Sequence, residues 1–400
     1  MRAGLHPGET LEERPTPLPI PHIPEDLGRV IEITILRIEA AYDLTRISPI
    51  RELVMSVSKT IRWTAAAAMA LAGALSIATG ADADIIKVED MLHGITMTRA
   101  QCMAIAQTAW VNADGHDFCV RYYLSTAGGE GRMPVVFLQG DKFGKLDIAT
   151  NSYPAVPQDQ KKDIDTDDLI KIADGFSRMA KTTAIYLARI GVDGTSGNHV
   201  ARKTLLELHL MNAALEAIKQ RYGFAGFHLV GQSGGSKLIG GLIGLRRDIA
   251  CAVLGSGPLS EPVNNKTASP SRSYFDAADA ISVAVRNPSL RPFVISDPVD
   301  KKVAIIKQTR YVEKMRREGR QVPQFLVQAI DDDHHGAAEY ARLIAAGCVL
   351  ERSDAEIARA VETVTRRNAD VNERKRNEQV AKAQHPVPNL RSAINGVNGG

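Results

Sequence analysis

Residues Gly231-Gln232-Ser233-Gly234-Gly235 place one hydroxyl between glycines, directly after the apolar run "GFHLV". A serine hydroxyl is a poor nucleophile until an imidazole takes its proton, and a carboxylate must fix that imidazole in one tautomer. The chain supplies both types later, in Ser296-Asp297-Pro298-Val299-Asp300-Lys301-Lys302-Val303 and in Asp331-Asp332-Asp333-His334-His335-Gly336. Glycines cost backbone entropy, so three in five residues are poorly used in a plain connection. A tight strand-to-helix turn that exposes a serine does need small neighbours. Each residue also has a plainer reading. Ser233 could cap a helix, although that leaves its flanking glycines unexplained. Asp300 could cap a helix beginning at Lys301, Asp297 could be a turn residue before Pro298, and His335 a surface histidine beside Asp331 to Asp333. His93, His116, His199 and His209 read as structural or surface residues.

Chemistry of this kind needs the three clusters at one edge of a rigid frame. "TAWVNADGHDFCVRYYL" reads as two strands around Asp114-Gly115, and "MPVVFLQG" as a short buried strand. Beyond a long Asp-, Pro- and Lys-rich loop, "DTDDLIKIADGFSRMAK" predicts an amphipathic helix. Strand "TTAIYLARIG", the helix closed by Gly223, strand "GFHLVGQ" and a helix over 236–245 follow. The alternation continues with strand "IACAVLGSG", a short helix near 277–285, strand "RPFVISD", a helix from Lys301, strand "PQFLVQAI" and helix "AAEYARLIAAG". Alternating strands and helices predict an α/β fold: a mainly parallel sheet with helices on both faces. Such sheets place their sites at the carboxyl ends of strands, where Ser233, the Asp297/Asp300 segment and His334/His335 all fall.

From Met133 to Gly347 the chain resembles the α/β-hydrolases, most like the esterase and prolyl-oligopeptidase branches. The matching features are Gly231-x-Ser233-x-Gly235, Asp300-x-x-Val303 after a strand, and His335-Gly336 after the last strand, in the order Ser, Asp, His. The resemblance implies that Ser233 is the nucleophile, Asp300 the acid and His335 the base, with Asp297 and His334 as alternatives. It implies an oxyanion hole from the Gly234 amide and, on the loop Gln139-Gly140-Asp141, Asp141. It implies a small lid over about 258–291. Two departures bear on substrate. Prolyl-oligopeptidase-like enzymes usually carry Tyr where this chain has Gly234, and too few residues precede Met133 for their propeller. The expected activity is hydrolysis of a carboxylic ester through an acyl-enzyme. A small-substrate peptidase or amidase is the alternative, and a non-catalytic binding protein on the same scaffold the third reading. The implied partner is a small ester or short peptide, with no cofactor and no metal.

Composition agrees with a soluble catalyst. Of 400 residues, 44% are hydrophobic and 24% charged, with a formal net charge of +3, and no basic stripe interleaved with aromatics suggests nucleic acid. Lys59 and Arg62, the apolar run Ala65 to Ala78 and Ala81-x-Ala83 have the anatomy of a secretory signal peptide. This predicts a signal over 55–83, with a non-native or disordered extension over 1–54. The catalytic domain is expected over 84–350, with a charged helix and disordered tail over 351–400. The apolar run is shorter than the roughly 20 residues of a membrane span, so no stable span is expected after cleavage, in a periplasmic or secreted protein. Four scattered cysteines suit that compartment. Cys102 and Cys119 flank one local unit. Cys251 opens a strand, and the helix after His335 runs back to bring Cys348 near it. The expected bridges are Cys102–Cys119 and Cys251–Cys348.

Overall fold

The computed structural model describes residues 84–143, 162–261 and 274–384. The expected signal peptide, the 1–54 extension and the tail beyond 384 lie outside the described residues. The strands are β1 (Ile85–Ile86), β2 (Thr108–Ala113), β3 (His116–Ser125), β4 (Val135–Leu138), β5 (Ile164–Asp165), β6 (Ala184–Leu187), β7 (Phe227–Gln232), β8 (Ile249–Gly255), β9 (Arg291–Ser296) and β10 (Gln324–Leu326). The helices are α1 (Val88–His93), α2 (Arg99–Ala104), α3 (Thr166–Ala180), α4 (Leu205–Tyr222), α5 (Gly234–Leu245), α6 (Ile281–Ala284), α7 (Ile306–Arg317), α8 (Ala338–Val349) and α9 (Asp354–Gln384).

Eight strands form one sheet in the order β10-β9-β8-β7-β4-β6-β3-β2. The pairs from β6 to β10 are parallel, and β3 runs antiparallel to both β2 and β6. Successive strand residues alternate between faces, and both faces are apolar. Val136, Leu138, Leu229, Ala252 and Leu254 face one core with Met211 of α4, Leu238 of α5 and Tyr311 of α7. Val135, Phe137, Val230, Cys251 and Val253 face the other with Phe176 of α3, Ile344 of α8 and Ile357 of α9. Buried on both sides, these strands read as continuous apolar runs, as parallel strands must.

The layout puts a crevice in one place. β4 lies between β6, which follows it in sequence, and β7, which the chain reaches only after crossing back. That reversal separates the loops leaving β4 and β7, the position where open α/β sheets bind ligands.

Three segments differ from the sequence expectation. The helix expected from Lys301 begins at Ile306, because Asp300 Oδ1 accepts from the amides of Lys302 (2.8 Å) and Val303 (2.9 Å) and holds a turn there. β10 is only three residues long; Val327 N–H still donates to Ser296 O of β9, but beyond it the amides are taken by side chains, Gln328 N–H donating to Tyr340 Oη and Ala329 N–H to Asp297 Oδ2. Of the segment expected as a lid, residues 274–291 pack against α5, with Ala277, Ile281 and Ala284 fully buried, while 262–273 lie outside the described residues. α9 packs its first turns into the core through Ile357 and Val361.

Both disulfides join the expected partners. Cys102–Cys119 has a Cα separation of 5.6 Å and Cys251–Cys348 one of 6.3 Å. Among the described residues no helix is long and apolar enough to cross a membrane.

Candidate active site

Ser233 sits between β7 and α5 with φ 54° and ψ −117°, a conformation that costs a non-glycine residue of order 1–3 kcal/mol. Its neighbours explain the glycines. A Cβ on Gly231 would lie 2.5 Å from Ser236 N, and one on Gly235 2.1 Å from Leu138 O. The turn is therefore packed hard against β4, and the serine is lifted out at the strand's end. Ser233 N–H donates to Gly255 O of β8 at 2.8 Å, which fixes the elbow to the sheet.

The loop leaving β4 abuts it. A Cβ on Gly140 would come within 3.1 Å of Ser233 Cβ, and one on Gly234 within 2.2 Å of Asp141 Oδ1. A side chain at 234 would thus force the Asp141 carboxylate to move. Neither the Gly234 amide, at the first turn of α5 where helix N–H groups lack intrahelical partners, nor the Asp141 amide, on the β4 loop, donates to a described acceptor. Asp141 itself is held by Lys203 Nζ at 2.6 Å and Arg189 at 2.8 Å, with Arg202 at 3.8 Å. Burial would raise its pKa, but these cations hold it far below the ordinary carboxylate range.

Arg189, at the end of the β6 segment, is fully buried. It donates Nε and Nη2 to Glu207 (2.8 and 2.9 Å) and Nη1 to Asp141 and to Gln139 O (3.2 Å). This guanidinium braces the β4 loop against the start of α4. Its only sequence signal is a charged residue closing the buried run "TTAIYLAR".

His335 and Asp300 come together after β10 and β9. His335 Nδ1 lies 2.8 Å from Asp300 Oδ2 and 3.1 Å from Oδ1, and the carboxylate side chain is fully buried. Beside them, His334 Nδ1 lies 3.1 Å from Asp297 Oδ2, with His334 at φ 53°. The loops carrying the two pairs are stitched together by Lys301 N–H donating to Asp333 O (2.9 Å) and Lys302 pairing with Asp333 (2.8 Å). Asp331 accepts from the amides of His335 (3.1 Å) and Gly336 (2.7 Å). Partial burial opposes its ionisation, yet these amides keep its pKa below the ordinary value.

Sequence reasoning did not single out Gln232. Its Nε2 donates to His335 O at 2.7 Å, and its Oε1 accepts from Ala337 N at 3.1 Å. The residue before Ser233 therefore grips the histidine loop from both sides. Among the described residues the Ser233 hydroxyl makes no hydrogen bond, so the expected contact with His335 is not closed. Such contacts are often long in unliganded sites and tighten around substrate.

A serine on a strained elbow, with an Asp–His pair at the next strand ends in chain order, decides the architecture. The chain has the α/β-hydrolase fold. No family model and no curated relative matches the sequence. Among solved structures, an esterase from Pyrococcus furiosus is similar at 10% identity and a TM-score of 0.44, over 64% of this chain and 96% of that one. An enzyme from Butyrivibrio proteoclasticus with ferulic acid bound is similar at 10% identity and TM-score 0.43, over 61% of this chain and 98% of the other.

Of the other histidines of the described residues, His228 of β7 is buried, with its pKa lowered to about 4 by burial. His209 pairs with Asp114 at 2.7 Å on the surface, His93 and His116 are exposed, and His199 is buried, with its pKa lowered to about 4 by burial. No group of three or more His, Cys, Asp or Glu side chains among the described residues is gathered as metal ligands would be.

Proposed function

We propose that this chain is an exported serine hydrolase that cleaves carboxylic esters through an acyl-enzyme on Ser233. The observation that carries the reading is the Asp300–His335 pair, tethered through Gln232 to the turn that bears Ser233. In the proposed cycle His335 Nε2 takes the Ser233 proton as Oγ attacks the ester carbonyl carbon. Asp300 holds Nδ1–H and stabilises the imidazolium. The carbonyl oxygen becomes an oxyanion facing the amides of Gly234 and Asp141, each such donor being worth about 10²–10³ in rate. Collapse breaks the C–O bond, and the leaving alkoxide takes the proton from Nε2. Water then attacks the acyl-enzyme, giving its proton to His335, and the acid product leaves as Ser233 recovers its hydrogen.

Export is supported by the two disulfides, which persist in oxidising compartments, and by the signal-like segment over 55–83. Purified protein should be exposed to a fluorophosphonate probe, then assayed on p-nitrophenyl esters and aminoacyl anilides. Labelling at Ser233 with ester turnover is the expected result. Turnover of anilides over esters would move the assignment to a peptidase or amidase. Absence of both labelling and turnover would leave a binding protein.

A further inference from the structure

One charged group beside this site has no use in the cycle above. Lys237 lies four residues after Ser233, in the first turn of α5, whose N-cap is Ser233. Helical side chains lean toward the N-terminus, which carries the Lys237 stem back toward the serine. The side chain is only 5% exposed, yet its ammonium donates no hydrogen bond among the described residues. Its one ion-pair partner, Glu261 Oε2, stands 3.8 Å away, and the other oxygen of that carboxylate is in direct contact with Lys307. The Phe275 ring lies 5.5 Å below the ammonium.

The other carboxylates in range are committed elsewhere. Asp141 is held by Arg189 and Lys203, and Asp276 caps its own turn by accepting from Ala278 N. Enclosing an ammonium without a close counter-ion is costly, and burial indeed lowers the pKa of Lys237 below its ordinary value. A non-polar side chain would pack the same space more cheaply. The N-terminus of a twelve-residue helix adds a field that favours an anion on the same side.

We infer that Lys237 is a specificity residue: it receives a carboxylate carried by the substrate, so that the preferred ester is anionic. The inference rests on the proposed serine-esterase reading and names the substrate class for it. Four residues of helix separate the Ser233 and Lys237 backbones by about 6 Å, so the carboxylate belongs on a short chain from the scissile ester. Either half of the ester can carry it, and the test has an arm for each.

In the acyl arm, kcat/KM is measured for monomethyl succinate, glutarate and adipate against methyl alkanoates of equal length. In the alcohol arm, acetate esters of ω-hydroxy acids are compared with acetates of matching alkanols. The wild-type protein should favour the anionic member at least about tenfold in one arm. In Lys237→Met that ratio should fall to about one, and Lys237→Arg should keep part of it. Lys237→Gln serves if the methionine variant does not fold, as judged by thermal unfolding. A wild-type ratio of one or below in both arms overturns the inference, as does a ratio unchanged in the uncharged variants. Fluorophosphonate labelling on the same samples separates the two levels. Labelled, active enzyme without anionic preference sinks only the substrate class, whereas absence of labelling and turnover sinks the esterase reading with it.

Discussion

Two acid–histidine pairs lie side by side, Asp300–His335 and Asp297–His334, built from the same residue types at the same strand ends. They differ in what else each carboxylate does. Asp297 spends Oδ1 on Val299 N–H and shares Oδ2 between Ala329 N–H and His334. Asp300 gathers its amide donors on Oδ1 and leaves Oδ2 to the imidazole alone. The histidines differ too: the carbonyl of His335 is gripped by Gln232, next to Ser233, while His334 sits in the left-handed region at the loop's apex. In one pair an oxygen meets the imidazole alone; the other pair also closes the ends of β9 and β10. Residue type and proximity alone do not make a proton relay.

The largest effect should come from Ser233, the proposed nucleophile. Ser233→Ala should abolish fluorophosphonate labelling and nearly all ester turnover while leaving the melting temperature nearly unchanged; an active alanine variant would remove the basis of the comparison. Next come the acids themselves. Asp300→Asn should lower kcat by orders of magnitude, on the scale of about 10⁴ known for loss of the correct tautomer in a serine triad. Asp297→Asn should cost less than about tenfold in kcat but visibly lower the melting temperature, because a buried acceptor of two amides is weakened. Equal kinetic losses would erase the distinction.

Gln232→Leu tests the tether. It should reduce kcat by roughly 10- to 100-fold, as a misplaced base does, with a smaller change in KM; wild-type kcat would show that His335 is held without it. The smallest effect concerns Asp331. Because its folded pKa is depressed, its contribution is present above the unfolded value near about 4 and is lost as pH falls through the lower folded value. Asp331→Asn should therefore show a smaller drop in melting temperature between pH 6 and pH 3 than the wild type does. An equal drop would remove Asp331 as the support that singles out the His335 loop.

Much of the frame was legible in the sequence. Parallel strands buried on both faces are continuous apolar runs, so β4, β6, β7, β8 and β9 stand out, and the Gly-x-Ser-x-Gly spacing reports a steric need that the close approach of β4 to Gly235 makes plain. What stayed hidden depends on contacts distant in sequence. Gln232 meets His335 across 103 residues, and nothing local marks a glutamine as a clamp. Arg189 and Glu207 look like surface charges until the fold buries them against each other. The preference for Asp300 over Asp297 came from the Asp300-x-x-Val303 spacing; which of their oxygens the backbone claims was not legible there. The boundaries of α7 and β10 failed for a related reason: carboxylates and a tyrosine hydroxyl, rather than propensity, take the amides that would have extended them.

The Cys251–Cys348 bridge ties the start of β8 to the end of α8, across 97 residues. That ring of chain contains Asp300 and His335 but excludes Ser233. A single cut by a protease anywhere between the two cysteines would therefore leave two fragments covalently joined. Nicked protein should migrate as one band without reductant and as two with it. A molecule nicked in this way keeps Asp300 and His335 on covalently joined fragments.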